Sequence, residues 1–384
     1  MKWKNKGHEF DEIKSIFSKE NIRCYIWGAG TFGYAFCNEF VNQITIEGFI
    51  DSNPMKQGGV FCEKKVYSPE DFFSRRTDEL VLVSTGWTNQ VYSQLNNHGM
   101  KRFVDYYHID EWYSLFHYFR NNKVFLTDLT IQITQKCTLR CEYCNAFIPH
   151  IKQPKDLSTE QVMKSLDNLF KWVDSINVIA LSGGDAMASR NFVDVLDSVA
   201  KKYYPQKVKH IEVYSNAVIV PDEITLEKFK QYNVIYRWTD YYGNSGHQKN
   251  DEIEHILSDR GIIYDRVRFK EWYDCGYPQE SNGLYNEDEL IDFCTQCKRK
   301  SCHIIREDKL FTCGMCSAAD DIGYCFFDET DYFDLHNHNN SPIELIEFYL
   351  GFSEKGYYNY CRKCNGGTNI AKKSIPVGNQ LKKI

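Results

Sequence analysis

Apolar and polar positions alternate regularly along two stretches of the chain and then lose their rhythm. In the first stretch a short apolar run at 24–27 meets a glycine-rich turn, and residues 34–41 follow with a helical pattern. A second apolar run, 44–50, ends at Asp51; turn residues Ser52, Asn53 and Pro54 and the pair Gly58 and Gly59 come next, and 79–84 predicts a buried strand. Short apolar runs alternating with helical segments predict a parallel sheet with helices on its faces. Residues 108–123 predict a connecting helix and turn, with a boundary at Asn121 and Asn122.

The second stretch opens with a predicted strand at 129–134. Ser158, with Gln161 three residues on, predicts a capped helix start, and Val162, Leu166, Leu169, Phe170 and Val173 supply its apolar face. Strands are predicted at 177–181, 210–214, 234–239 and 266–269, with helices near 190–202, 222–232 and 251–258. Repeated βα units of this size predict a full or partial barrel, with its site at the C-terminal ends of the strands. Cys137, Gly183, Ser215 and Asp240 each fall just after, or at the end of, a predicted strand. From about 285 the pattern breaks into short elements rich in Cys, Gly and Asp, with a helix near 342–350. The expected organisation is therefore α/β throughout: a parallel-sheet module over 1–118, a core over 122–290 and a small metal-organised region over 291–384.

Composition narrows the function. A net charge of −6 excludes the clustered basic surface of a nucleic-acid binder. No apolar run approaches the roughly 20 residues that span a bilayer. The first residues carry no apolar signal segment, so the expected compartment is the cytoplasm. There fifteen cysteines point to metal or redox chemistry rather than disulfides. Three fall at 137–144, none between 145 and 274, and nine from Cys275 onward.

Cys137, Cys141 and Cys144 place three thiols within eight residues just after a strand. Three thiolates on a [4Fe–4S] cluster leave one iron open; a zinc site would need a fourth ligand, and His150 is the nearby candidate. This CxxxCxxC triplet resembles the signature of the radical S-adenosylmethionine (SAM) superfamily. The resemblance implies that the amino and carboxylate groups of SAM chelate the open iron. One electron then cleaves the sulfonium, and the resulting 5′-deoxyadenosyl radical abstracts hydrogen from substrate. It also implies that Tyr143 lies near the adenine and that Ser182, Gly183, Gly184 and Asp185 stand for the family's GGE segment at the methionine amine, with Asp in place of Glu. Ser215 and Asn216 match its polar pair near the ribose or the methionine carboxylate.

The later cysteines carry a second resemblance. Cys302 and Cys313 flank a predicted hairpin, and Cys361 and Cys364 lie beyond the last helix, as in the SPASM or twitch extensions that hold an auxiliary [4Fe–4S] cluster. Asp308 replaces the usual glycine. Cys297 is the foremost substitute ligand, and Cys294 and Cys316 add enough thiols for one or two auxiliary clusters. A zinc ribbon is the competing reading.

Near the N-terminus Gly28, Gly30 and Gly33 form GxGxxG between a strand and a helix, with Asp51 eighteen residues beyond. That context fits phosphate at the helix start and a carboxylate on a ribose. The unit resembles the small Rossmann-like modules of sugar-modifying enzymes; a module that only packs is the plain alternative. Arg237, Asp240, Tyr241, Trp272 and Asp274, at strand ends, are expected substrate contacts, whereas Arg23, Lys56 and 298–300 are expected solvated surface. The expected activity is hydrogen abstraction from a carbohydrate or nucleotide-linked sugar, leading to oxidation, deoxygenation or epimerisation, with flavodoxin or ferredoxin as electron donor and no nucleic-acid or membrane partner. A peptide-modifying maturase and a non-catalytic iron–sulfur scaffold or sensor are the rival readings.

Overall fold

The computed structural model describes residues 1–242, 246–276, 286–367, 370, 371 and 373–381. It divides into two compact units, His8–Lys123 and a larger one formed by Met1–Gly7 with Val124–Ile384.

The smaller unit contains α1 (Lys14–Phe17), β1 (Arg23–Trp27), α2 (Thr31–Phe40), β2 (Thr45–Ile50), β3 (Val60–Phe61), β4 (Lys64–Tyr67), α3 (Pro69–Arg75), β5 (Leu80–Val83), α4 (Thr88–Asn97), β6 (Tyr106–His108) and α5 (Ile109–Asn121). Its sheet runs β3-β4-β2-β1-β5-β6. All neighbours are parallel except the β3–β4 hairpin. The expected parallel sheet is thus present. β5 is buried along its whole length, as a strand covered on both faces must be, and Tyr25, Trp27, Phe72, Val81 and Val83 pack on one side of it.

The larger unit contains β7 (Phe125–Thr134), α6 (Thr159–Leu169), β8 (Ser175–Gly183), α7 (Phe192–Tyr203), β9 (Val208–Ser215), α8 (Glu223–Gln231), β10 (Ile235–Tyr241), α9 (Asn250–Arg260), β11 (Tyr264–Phe269) and β12 (Glu271–Tyr273). These are followed by α10 (Glu287–Gln296), β13 (Ile304–Arg306), β14 (Lys309–Phe311), α11 (Gly314–Asp321), β15 (Phe333–Asp334), α12 (Pro342–Tyr349) and β16 (Ser374–Pro376). The main sheet runs β11-β10-β9-β8-β7-β13-β14-β15. Its first six strands are parallel, and β14 and β15 complete it antiparallel. With β11 and β15 as its edges the sheet stays open, so a closed barrel is not formed.

Local chemistry starts the helices where the sequence predicts. The Ser158 hydroxyl accepts from the Gln161 N–H while Gln161 Oε1 accepts from the Ser158 N–H at 2.9 Å. Ser341 and Glu344 repeat this reciprocal cap on α12. Each such cap contributes about 1 kcal/mol. The predicted hairpin of the cysteine-rich region forms as β13 and β14, and β13 pairs with β7 through Ile304–Thr130 and Ile305–Ile131. This pairing satisfies the edge of β7 that the βα units leave open, and it brings Cys302 to the same sheet that ends in the cysteine loop.

Candidate functional site

The cysteine loop leaves the C-terminal end of β7, and the glycine pair ends β8. A Cβ on Gly183 would lie 2.3 Å from the Thr134 carbonyl oxygen, and one on Gly184 would lie 2.4 Å from that of Lys136 and 2.9 Å from the Cys137 Cβ. Only glycine allows the two strand ends to approach so closely. The Gly184 and Asp185 N–H groups use that approach to donate to the Thr134 and Lys136 carbonyls, at 3.0 and 2.9 Å.

Asp185 is buried, at 1% exposure. Its carboxylate accepts from the Met187 N–H at 2.9 Å, the Asn216 N–H at 3.0 Å and the Ser215 hydroxyl at 3.2 Å. Burial pushes its pKa up, and the three donors only partly counter that. In turn Asn216 Nδ2 donates to Cys137 Sγ at 3.3 Å, where the Leu139 N–H also points at 3.4 Å. Ser182 to Asp185, Ser215, Asn216 and Cys137 are thus one connected cluster.

Burial pushes the Cys137 thiol up to about 12 and the Cys141 thiol up to about 11, and Cys144 is raised for the same reason. A thiolate on Cys144 or Cys141 would raise Cys137 further, which places the three thiols within electrostatic reach of one another. Three neighbouring thiols with N–H donors aimed at all three sulfurs, those at Cys144 from the backbone of 146–148, fit a group that holds sulfur as an anion, since hydrogen bonds to sulfur stabilise a cluster. Among the described residues no three His, Cys, Asp or Glu converge tightly enough for a single metal ion; a cluster makes a different demand, because its thiolates bind separate irons. Tyr143 is half-buried in the same loop.

The five expected substrate contacts separate into two groups. Tyr241 stands within electrostatic reach of Cys141, Cys137 and Cys144, and Trp272 packs edge-on against it at 5.4 Å. By contrast Arg237 pairs with Glu212 at 3.2 Å and Asp265 at 3.0 Å. Asp240 accepts from Arg266 and Arg268, each Nε at 2.9 Å, and Asp274 pairs with Lys373 at 3.2 Å. These three charges are committed to neighbours within the fold.

A cavity of about 140 Å³ opens beside the glycine pair. Ser182 and Gly183 form part of its wall, Gln132 and Asn145 bring amides, and Arg299, Cys302 and Met315 come from the cysteine-rich region. Arg299 corrects an expectation: rather than lying in solvent, its guanidinium sits against the thiols of Cys302 and Cys275. Lys300 likewise donates to the Thr295 carbonyl at 2.7 Å. Basic residues three in a row resemble a solvated run, and only the cysteines packed around 297–302 reveal the difference.

A backbone bridge joins Cys302 to Cys313, and Cys313 stands within electrostatic reach of Cys297, Cys302, Cys361 and Cys364. Two more thiols join the periphery, Cys294, which the sequence offers as an additional ligand, and Cys275, which it does not. Cys294 shares a hydrogen bond with Cys361 that lowers its own pKa and raises that of Cys361, and Cys275 stands within electrostatic reach of Cys364 and Cys302. Asp308, in the place of the usual glycine, has a positive φ of 63° and turns the β13–β14 hairpin. Its carboxylate meets His336 Nε2 at 2.9 Å.

In the smaller unit the three glycines have distinct tasks. Gly28 has φ +123°, a Cβ on Gly33 would lie 2.2 Å from the Gly28 carbonyl oxygen, and Gly30, before α2, faces open space. This division is what a turn, a ligand approach and a close helix–strand packing require. Asp51 Oδ2 accepts from the Ala29 N–H at 3.0 Å and pairs with Lys56 Nζ at 3.0 Å, and Lys56 also donates to the Ala29 carbonyl at 2.7 Å. Lys56 thus bonds to the glycine turn while remaining exposed, as expected of surface. Arg23 is likewise paired, with Glu47 at 2.7 Å and Glu79 at 3.0 Å.

Residues 131–268 match the family model of the Radical SAM superfamily, the same residues that build the β7–β11 scaffold and its glycine and cysteine loops. The chain is accordingly an enzyme of the radical SAM type, with SAM and a SAM-binding [4Fe–4S] cluster as its cofactors. No curated protein matches the chain. Among solved structures it is similar to BtrN in complex with AdoMet and 2-DOIA, at 13% identity over 66% of this chain and 98% of that one, TM-score 0.41. It is also similar to native anSMEcpe with bound AdoMet and Cp18Cys peptide, at 10% identity over 63% and 88%, TM-score 0.40. Over 24% of this chain and 46% of the other it resembles RSP, a Rex-family repressor, in complex with beta-NAD+ and operator DNA, at 21% identity and TM-score 0.21. No helix among the described residues is long and apolar enough to cross a membrane.

Proposed function

We propose that Cys137, Cys141 and Cys144 hold the SAM-binding cluster and that the substrate is a carbohydrate or nucleotide-linked sugar, oxidised, deoxygenated or epimerised at a carbon bearing a hydroxyl. The observation that carries the cluster assignment is the hydrogen bonding of the three sulfurs: Asn216 and Leu139 donate to Cys137, Gln380 donates to Cys141, and backbone N–H groups of 146–148 donate to Cys144. Bound together, the cluster and SAM supply one-electron chemistry that removes a hydrogen atom from substrate.

The chain's own residues position that chemistry. Gly183 and Gly184 let backbone meet backbone at the methionine end of SAM, and Asp185 orients the 215–216 turn toward the ribose or methionine carboxylate. Tyr143 lines the adenine, while Tyr241 and Trp272 exclude water from the loop. Gln132, Asn145 and Arg299 give the cavity amide and guanidinium groups suited to hydroxyls and to an anionic substituent, which supports a sugar-type substrate. Cys297, Cys302, Cys313, Cys361 and Cys364 supply the auxiliary cluster of a 291–384 SPASM or twitch region. Gly28, Gly30, Gly33 and Asp51 of the 1–118 module bind a nucleotide. A cytoplasmic flavodoxin or ferredoxin delivers the electron.

The test is anaerobic reconstitution of the wild type and a Cys137→Ala/Cys141→Ala/Cys144→Ala variant. The wild type forms 5′-deoxyadenosine when reduced; the variant forms none yet keeps about four irons for each auxiliary cluster. Cleavage by the variant would overturn the first assignment, and zinc in place of its remaining iron would overturn the second.

A further inference from the structure

The stretch from β16 to Leu381 crosses back over the cysteine loop. The strand β16 pairs with β12, through Glu271–Pro376, Trp272–Ile375 and Tyr273–Ser374. The chain then turns at Gly378, whose φ is +64° and whose Cβ position lies only 2.9 Å from the Tyr241 ring. Beyond that turn every described residue bonds to the loop. The Glu142 N–H donates to the Asn379 carbonyl at 2.7 Å, Asn379 Nδ2 donates to Glu142 Oε2 at 2.7 Å, and the Leu381 N–H donates to the Arg140 carbonyl at 2.8 Å.

Gln380 is the centre of this contact. Its Oε1 accepts from the Arg140 N–H at 2.7 Å, and its Nε2 donates to the Gly378 carbonyl at 2.7 Å and to Cys141 Sγ at 3.2 Å. The orientation of the amide is determined by its partners. Turned over, it would set its NH2 against the Arg140 N–H and its oxygen against the Gly378 carbonyl, two repulsive contacts in place of two bonds. The sulfur therefore faces an N–H. Cys141 beneath the strap is 7% exposed, whereas Cys137 and Cys144 are less completely covered.

We propose that residues 377–381 are a strap over the SAM-cluster loop, in which Gln380 is a positioning residue that donates to the Cys141 sulfur, raises the cluster's reduction potential and shields it from solvent. This rests on the assignment of Cys141 as a cluster ligand. Reduction adds negative charge to the cluster, so an N–H donor on its sulfur stabilises the reduced state more than the oxidised one. No proton or electron is transferred by Gln380 itself.

The experiment compares the full-length, anaerobically reconstituted wild type with Gln380→Leu and Gln380→Glu, and follows the midpoint potential of the electron-paramagnetic-resonance signal that responds to added SAM. Gln380→Leu keeps the bulk that excludes water but lacks the donor. It should disfavour reduction about tenfold, the scale of one hydrogen bond to a charged group, or about 59 mV for a one-electron couple. Gln380→Glu replaces the donor with an acceptor and should lower the potential further. Gln380→Glu, which brings a charged, hydrated group against the sulfur, should also lose cluster absorbance in air faster than the wild type. An unchanged midpoint in a Gln380→Leu protein that retains the SAM-responsive signal would overturn the proposal. A Cys141→Ala protein that retains the same signal would instead remove the cluster assignment beneath it, so the two failures are distinct.

Discussion

Adding one methyl group at Gly184 tests how closely the cysteine loop must sit on the end of β8. The Cβ of a Gly184→Ala variant would meet the Lys136 carbonyl oxygen at 2.4 Å, where real contacts do not fall below 3.0 Å. The obstacle is backbone, and that same carbonyl already accepts the Asp185 N–H at 2.9 Å. Relief therefore moves Lys136 and Cys137 by roughly half an ångström and strains that bond, and overpacking of this kind costs about 1–3 kcal/mol. The weakened hydrogen bond adds about 1 kcal/mol. For a unit of this size the melting temperature should fall by about 5–10 °C. Formation of 5′-deoxyadenosine should fall about ten- to a hundredfold, because displacements of this order misalign reacting groups. The assay is product formation by reduced, reconstituted enzyme, beside iron content and thermal melting. Gly86→Ala, where the added Cβ meets nothing within 4 Å, is the control. Wild-type melting and wild-type rate in Gly184→Ala would refute the close-approach argument.

Asp156 offers a pH-dependent test. Burial raises its pKa, but hydrogen bonds from Lys136 and Thr134 outweigh that and leave it lowered. A lowered carboxyl stabilises the fold above its unfolded pKa near 4 and loses that stability as pH falls toward the folded value. Asp156→Asn should thus cost about 1 kcal/mol at pH 7, allowing for the partly exposed Lys136, and the difference in melting temperature should shrink below about pH 4; a pH-independent difference would count against the pairing. In the smaller unit, Asp51→Ala removes the acceptor of the Ala29 N–H and the partner of Lys56. Calorimetry should show weaker binding of nucleotide sugars with unchanged 5′-deoxyadenosine formation, and failure of the wild type to bind any nucleotide would return the module to a packing role.

Much of the site was legible because its signals are local. The CxxxCxxC spacing follows directly on a strand, Gly183 and Gly184 end the next one, and the Ser158 cap lies within three residues of its partner. The GxGxxG turn is local in the same way. The roles of charged residues were less legible. Arg299 reads as solvated, yet it sits between two thiols. Arg237 and Asp240 read as substrate contacts, yet their charges are taken up by Glu212, Asp265, Arg266 and Arg268.

The sequence by itself determined the cofactor class, the alternation that builds both parallel sheets and the positions of the turns, since thiol spacing, glycine and capping chemistry act over a few residues. Tertiary structure decided which side chains serve the loop. Asp185 reaches Asn216 across two strands, and Gln380 reaches Cys141 from 239 residues away. The sheet stays open because β13, not β11, takes the free edge of β7. Contacts of this kind depend on the register and edge pairing of whole strands, which no short pattern specifies.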